Sequence, residues 1–199
     1  KGTLSGRQRV YRYLRELYVL DPQALSFRAL RDLWDVDPDA RPLLALLSAL
    51  ARDPLLRATA SPIVEAPVGG TITASDLAEA VQAAYPESYN DVISAKIGRN
   101  AASSWTQAGH LSGRSNKKRA RVDCRPAAVA YALLLGHSEG RRGEMLFDTL
   151  WCRVLDCTKD VLVEQTVRAS QRGLLEFRHG GGVTEVGFRM LLRPFEGDA

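Results

Sequence analysis

The sequence predicts a mainly α protein built from two or three tandem units, each made of three helices and a short β-hairpin. Three observations predict it: apolar residues recur every three to four positions in most segments, Pro and Gly punctuate those segments, and two Gly-centred stretches read as hairpins. With 199 residues, 45% apolar and 25% charged, the chain can bury a core, which argues against collagenous, disordered and disulfide-framework architectures. The longest apolar run, residues 43–50, falls well short of the roughly 20 residues a membrane span needs. No uninterrupted apolar stretch of a secretory signal opens the chain, so a soluble, cytoplasmic protein is expected.

In the amino-terminal unit, 1–66, helices are expected over 7–20, 26–34 and 42–52. Val10, Leu14, Leu17 and Tyr18 share one face of the first, which stops at Asp21-Pro22. In the third, Pro42 suits a first-turn position and Asp53-Pro54 closes the run. Residues 55–59 and 61–65 then read as a short irregular hairpin. Pro67, Gly69 and Gly70 mark 67–73 as a linker.

The middle unit, 74–123, opens on a helix-start pattern, Thr73 with Asp76 three residues on, and Leu77, Ala80, Val81 and Ala84 continue the stripe to Tyr85-Pro86. Ser88 and Asp91 open a second helix carrying Val92, Ile93 and Ile97. Gly98-Arg99-Asn100 reads as a turn, with Asn100 capping a third helix over 101–108 that ends at Gly109; one continuous helix over 90–108 is the alternative. A hairpin follows, 110–112 and 118–122 around a turn at 113–117, with turn chemistry at Ser115-Asn116. Three helices and a basic hairpin are the order of a winged helix-turn-helix. The carboxy-terminal unit, 124–199, repeats it: helices over 127–137, 144–155 and 159–172, then a hairpin of 174–178 and 183–189 around Gly180-Gly181-Gly182. Pro54, Gly109 and Gly173 each stand between a helix and a short leucine-bearing strand, 55 and 64 positions apart.

Charge separates the units. Between Val92 and Val122 the chain carries Lys96, Arg99, Arg114, Lys117, Lys118, Arg119 and Arg121 and no acidic residue. Residues 1–91 carry ten basic and twelve acidic side chains, and 123–199 ten and eleven, so this one segment sets the net charge of +4. Concentrated positive charge releases counterions from phosphates, which is the signature of a nucleic-acid contact. On the third helix Arg99, Asn100, Ser103 and Gln107 have the chemistry to reach base edges, with Lys96 beside them, while Trp105 belongs to the core. On the hairpin Arg114, Lys117, Lys118, Arg119 and Arg121 suit phosphates. A solvated loop at 114–121 is the alternative.

Sequence signatures of phosphate loops, nucleophile elbows, zinc-protease helices and dinucleotide sites are absent, so neither catalysis nor a cofactor is expected. Asp35, Asp37 and Asp39 flank Pro38 in a loop and read as solvated or capping. Cys124, Cys152 and Cys157, with His110, His137 and His179, lack zinc-ligand spacing and read as structural or surface residues.

The run Trp105-Thr106-Gln107-Ala108-Gly109-His110-Leu111, the basic hairpin to Arg121 and the apolar helix from Ala127 to Leu135 resemble the BrxA-like accessory proteins of bacterial BREX phage-defence systems over residues 90–137. The resemblance implies a small DNA-binding component without enzymatic activity, double-stranded DNA as partner and other defence proteins as neighbours. A protein-assembly module or a transcriptional regulator, either of them able to form a homodimer, is the alternative reading of the same units.

Overall fold

The most apolar stretch of the chain folds into the helix around which much of the rest is packed. The computed structural model describes residues 5, 7, 8, 11, 12, 15, 21, 23–114 and 116–194. Of the helix expected over 7–20, only Arg7, Gln8, Tyr11, Arg12 and Arg15 lie within the described residues, and these are helical. Helix α1 (Leu25–Trp34) buries Ala29, Leu30 and Leu33. A 3-10 turn, Pro38–Ala40, leads into α2 (Arg41–Arg52), where Pro42 sits in the first turn and needs no backbone donor.

At Asp53-Pro54 the structure corrects the expected hairpin. Two short helices follow instead, α3 (Pro54–Ala58) and α4 (Ala60–Val64). The Asp53 carboxylate accepts hydrogen bonds from Leu55 N–H and Leu56 N–H at 2.9 and 3.1 Å, and Pro54 presets the first helical φ. The dipeptide that stops α2 therefore starts α3.

The stretch expected as a linker contains a strand, β1 (Thr71–Ile72). It is followed by α5 (Ala74–Ala84), α6 (Asp91–Gln107), β2 (Leu111–Ser112) and β3 (Lys117–Arg119). The three strands form an antiparallel sheet of order β1-β3-β2, with Thr71 opposite Lys118 and Leu111 opposite Arg119. The expected start of α5 is present as a reciprocal cap: Thr73 Oγ1 accepts from Asp76 N–H, and the Asp76 carboxylate accepts from Thr73 N–H at 2.7 Å. Helices α3 and α4 pack on α5, and counted from α4 the unit runs helix, strand, helix, helix, strand, strand.

Helix α7 (Pro126–Ser138) buries every residue from Ala127 to Gly136 and packs against α1 and α2 on one side and α8 (Leu150–Val154) and α9 (Lys159–Gln171) on the other. A 3-10 turn, Gly143–Leu146, lies along the hairpin of β4 (Glu176–Gly180) and β5 (Val183–Gly187). The final expected strand stops earlier than 189, because α10 (Arg189–Leu192) begins there and buries Leu191. The protein is mainly α; among the described residues there are two small antiparallel sheets, and one contiguous core runs from Ala29 to Leu191.

Candidate nucleic-acid interface

Helix α6 carries the chemistry of the middle unit on one face and its packing on another. Asn90 accepts from Ile93 N–H at 2.9 Å to start the helix, which continues without a break to Gln107. The turn expected at Gly98-Arg99-Asn100 is absent, and the continuous alternative holds. Gly98 has a packing reason to be glycine: a Cβ there would collide with the Ala74 carbonyl oxygen and come within 3.0 Å of Ala78 N. Ser94, Gly98, Ala101, Ala102 and Trp105 form the buried face, and the missing side chain at Gly98 lets α6 cross the start of α5 closely.

The opposite stripe is Lys96, Arg99, Asn100, Ser103 and Gln107, all exposed and on one face of the helix. Continuity of the helix is what brings them together. Gln107 Nε2 donates to Ser103 Oγ at 3.4 Å, and a groove of about 560 Å³ opens beside the stripe between α6, α2 and α3, lined by Leu46, Leu55, Ile97 and Asn100.

Trp105 is core, as expected. It is fully buried, and its Nε1–H donates to Thr59 Oγ1 at 2.8 Å. Its ring meets His110 edge-on, with centroids 4.9 Å apart. His110 is also fully buried, with Nε2 at 2.8 Å from the Val154 carbonyl oxygen. Burial pushes its pKa down to about 4, so the ring is neutral and anchors the middle unit to α8.

The hairpin sorts its basic residues by strand alternation. Arg114 at the turn, Lys118 and Arg121 are exposed, whereas Lys117 is half-buried and donates from Nζ to Thr106 Oγ1 at 2.7 Å. Lys118 Nζ reaches Thr71 Oγ1 at 2.6 Å across the sheet. Gly113 makes the turn with φ +93°, a backbone that favours glycine; Ser115 lies outside the described residues.

Arg119 corrects the expectation of a phosphate contact. Its side chain is 1% exposed and pairs with Asp156 at 2.7 Å. It also donates to the Ile63 carbonyl oxygen at 2.7 Å and to that of Ala120. A guanidinium so enclosed ties α4, the sheet and the loop after α8 together and has no face left for DNA. Lys96, Arg99, Arg114 and Arg121, by contrast, are exposed and form no ion pair with the described residues.

One further group departs from expectation, and another shows a contact that its spacing does not announce. Asp37 is buried, with Arg125 and Arg172 each 3.8 Å away, so it is an ion-pair centre rather than a solvated cap. Asp39 meets Arg125 at 2.6 Å. Cys124 and Cys157, distant in sequence, lie with their sulfur atoms 3.1 Å apart. Among the described residues no group of three or more His, Cys, Asp or Glu side chains is placed to hold a metal ion, and no helix is long and apolar enough to cross a membrane.

Comparison of the chain with protein-family models, with curated proteins and with solved structures yields no match.

Proposed function

We propose that this chain is a non-enzymatic double-stranded DNA-binding protein of the cytoplasm, built on winged-helix units, with α6 as recognition helix and β2–β3 as wing. The observation that carries this reading is the exposed stripe Lys96, Arg99, Asn100, Ser103 and Gln107, together with exposed Arg114, Lys118 and Arg121, cations that pair with no carboxylate among the described residues. The order helix, strand, helix, helix, strand, strand with sheet order β1-β3-β2 supports a winged helix, in which the last helix lies in the major groove and the hairpin follows the backbone. The resemblance over 90–137 supports a BrxA-like accessory role in phage defence, with other defence proteins as partners.

Titration of labelled duplex DNA across salt concentrations tests the reading. Affinity should fall linearly on a log-log plot, and Arg114→Ala and Lys118→Ala should each lower the slope by roughly one. Gln107→Ala should alter sequence preference and leave the slope in place, because base readout needs a side chain held by a rigid helix. No binding at low salt, or slopes indifferent to both basic substitutions, rejects it.

A second reading is favoured by the carboxy-terminal unit, whose α9 exposes Val161 and Val167 among paired charges. That surface suits a protein contact, a homodimer included. Sedimentation across concentration separates a self-associating chain from a monomer.

A further inference from the structure

We propose that Cys124 and Cys157 form a reversible redox site that closes to a disulfide on reaction with a peroxide. The proposal is independent of DNA binding. The two sulfurs are 3.1 Å apart, and a disulfide needs about 2.05 Å, so closure asks for movement of about 1 Å.

The backbone segments that carry them are already fastened together. Cys124 lies on the link between β3 and α7, and Cys157 follows Asp156 in the loop between α8 and α9. Asp156 pairs with Arg119 at 2.7 Å and accepts from Val122 N–H at 3.2 Å, while holding φ at 56°, an uncommon conformation for a residue with a side chain. These contacts fix the two cysteines opposite each other before any oxidant arrives.

The environments assign the roles. Cys157 is partly exposed, and the neighbouring Cys124 thiol and the Arg121 guanidinium hold its pKa below the ordinary thiol value against the opposing effects of burial and Asp156. Cys124 is buried and pushed up, first by its hydrogen bond with Cys157 and then by burial, so it keeps its proton. Cys152 is a built-in control: it is buried, its thiol meets the Leu146 carbonyl oxygen at 3.2 Å, and burial pushes its pKa up to about 12.

In the first step the Cys157 thiolate attacks one peroxide oxygen, the O–O bond breaks, and hydroxide leaves and takes a proton to become water. Cys157 is then a sulfenic acid. In the second step Cys124 Sγ attacks Cys157 Sγ, the S–O bond breaks, and the hydroxyl departs as water with the proton from the Cys124 thiol. Two thiols and one hydrogen peroxide become one disulfide and two waters.

The full chain, reduced and then treated with hydrogen peroxide, tests this by thiol blocking, digestion and mass spectrometry. The expected product is a peptide joined through Cys124 and Cys157, reversed by dithiothreitol, with Cys157 reacting at least about tenfold faster than Cys152. Cys152→Ser should leave the joined peptide unchanged. In Cys124→Ser, Cys157 should stop at a sulfenic acid that dimedone traps. A wild-type protein in which Cys157 advances to sulfinic acid while Cys124 stays free, or in which the bridge involves Cys152, or whose thiols all survive, overturns the proposal; the wild-type measurement stands even where a variant fails to fold.

Discussion

The middle and carboxy-terminal units end their long helices in the same way and then diverge in charge. Helix α6 ends at Gly109, φ +89°, with His110 N–H donating back to the Trp105 carbonyl oxygen at 3.0 Å; α9 ends at Gly173, with Leu174 N–H donating to the Ala169 carbonyl oxygen at 3.0 Å. In each case a buried leucine follows, Leu111 and Leu175, and then a hairpin. Around α9 the cations are matched: Lys159 meets Glu144, Arg168 meets Glu164, Arg178 meets Glu185 and Arg189 meets Glu176. On α6 and its hairpin Lys96, Arg99, Arg114 and Arg121 are left unmatched among the described residues. Shared backbone architecture therefore says little about ligand. The pairing of the cations says more, because a paired cation has already exchanged its counterion for a carboxylate and has less to gain from a phosphate.

Arg119 is the exception inside the middle unit, and removing it should have the largest effect. Arg119→Met leaves Asp156 and the Ile63 carbonyl oxygen without their partner, which should cost about 3–5 kcal/mol in urea denaturation. The salt slope of DNA binding by the folded fraction should not change. A stable variant with a reduced slope would return Arg119 to the DNA face.

His110 sets the next effect, through pH. Its folded pKa of about 4 lies below the ordinary value of 6.5, so between these limits the unfolded chain takes up a proton that the folded chain refuses. Stability is then undiminished above pH 6.5 and falls as pH drops toward 4, by up to about 3 kcal/mol. His110→Gln should flatten that part of the pH profile of denaturation. An unchanged profile would mean that the ring is not the group responsible.

Gly98→Ala should follow, at about 1–3 kcal/mol, because the added Cβ forces α5 and α6 apart along their backbones. Circular dichroism melting reads the loss, and an undisturbed melt would show that the crossing has slack.

Short-range chemistry was legible in the sequence. The Thr73 and Asp76 cap and the end of α6 at Gly109 each depend on neighbours a few positions away, and Trp105 showed as core through its size and place in the helical pattern. Asp53-Pro54 carried a readable signal that points both ways, since a residue that terminates one helix can cap the next. Gly98 was misread because only α5, from elsewhere in the chain, explains why it has no side chain. Counting charge placed all of Lys117, Lys118 and Arg119 on the DNA face. The period of two along a strand turns Lys117 and Arg119 away from the face that Lys118 occupies, and that alternation was the overlooked clue. The pairing of Cys124 with Cys157 spans 33 positions, and nothing local encodes it.

The smallest expected effect tests the charge comparison itself. Glu144→Gln together with Glu164→Gln removes the carboxylates that Lys159 and Arg168 now face and changes little else, because both pairs are exposed. The denaturation midpoint should stay where it is, since exposed pairs contribute little. Two cations freed on α9 then give the carboxy-terminal unit a weak version of the middle unit's positive surface. Binding to mixed-sequence duplex should rise modestly at low salt and the salt slope should steepen by at most about two. Sequence preference should not change, because with the helix ends at Gly109 and Gly173 matched, α9 has Val163 and Val167 where α6 presents Arg99 and Ser103. If the double substitution leaves affinity and slope untouched, unpaired charge alone does not make this surface a DNA surface, and the geometry of α6 and its hairpin must carry more of the binding than their net charge.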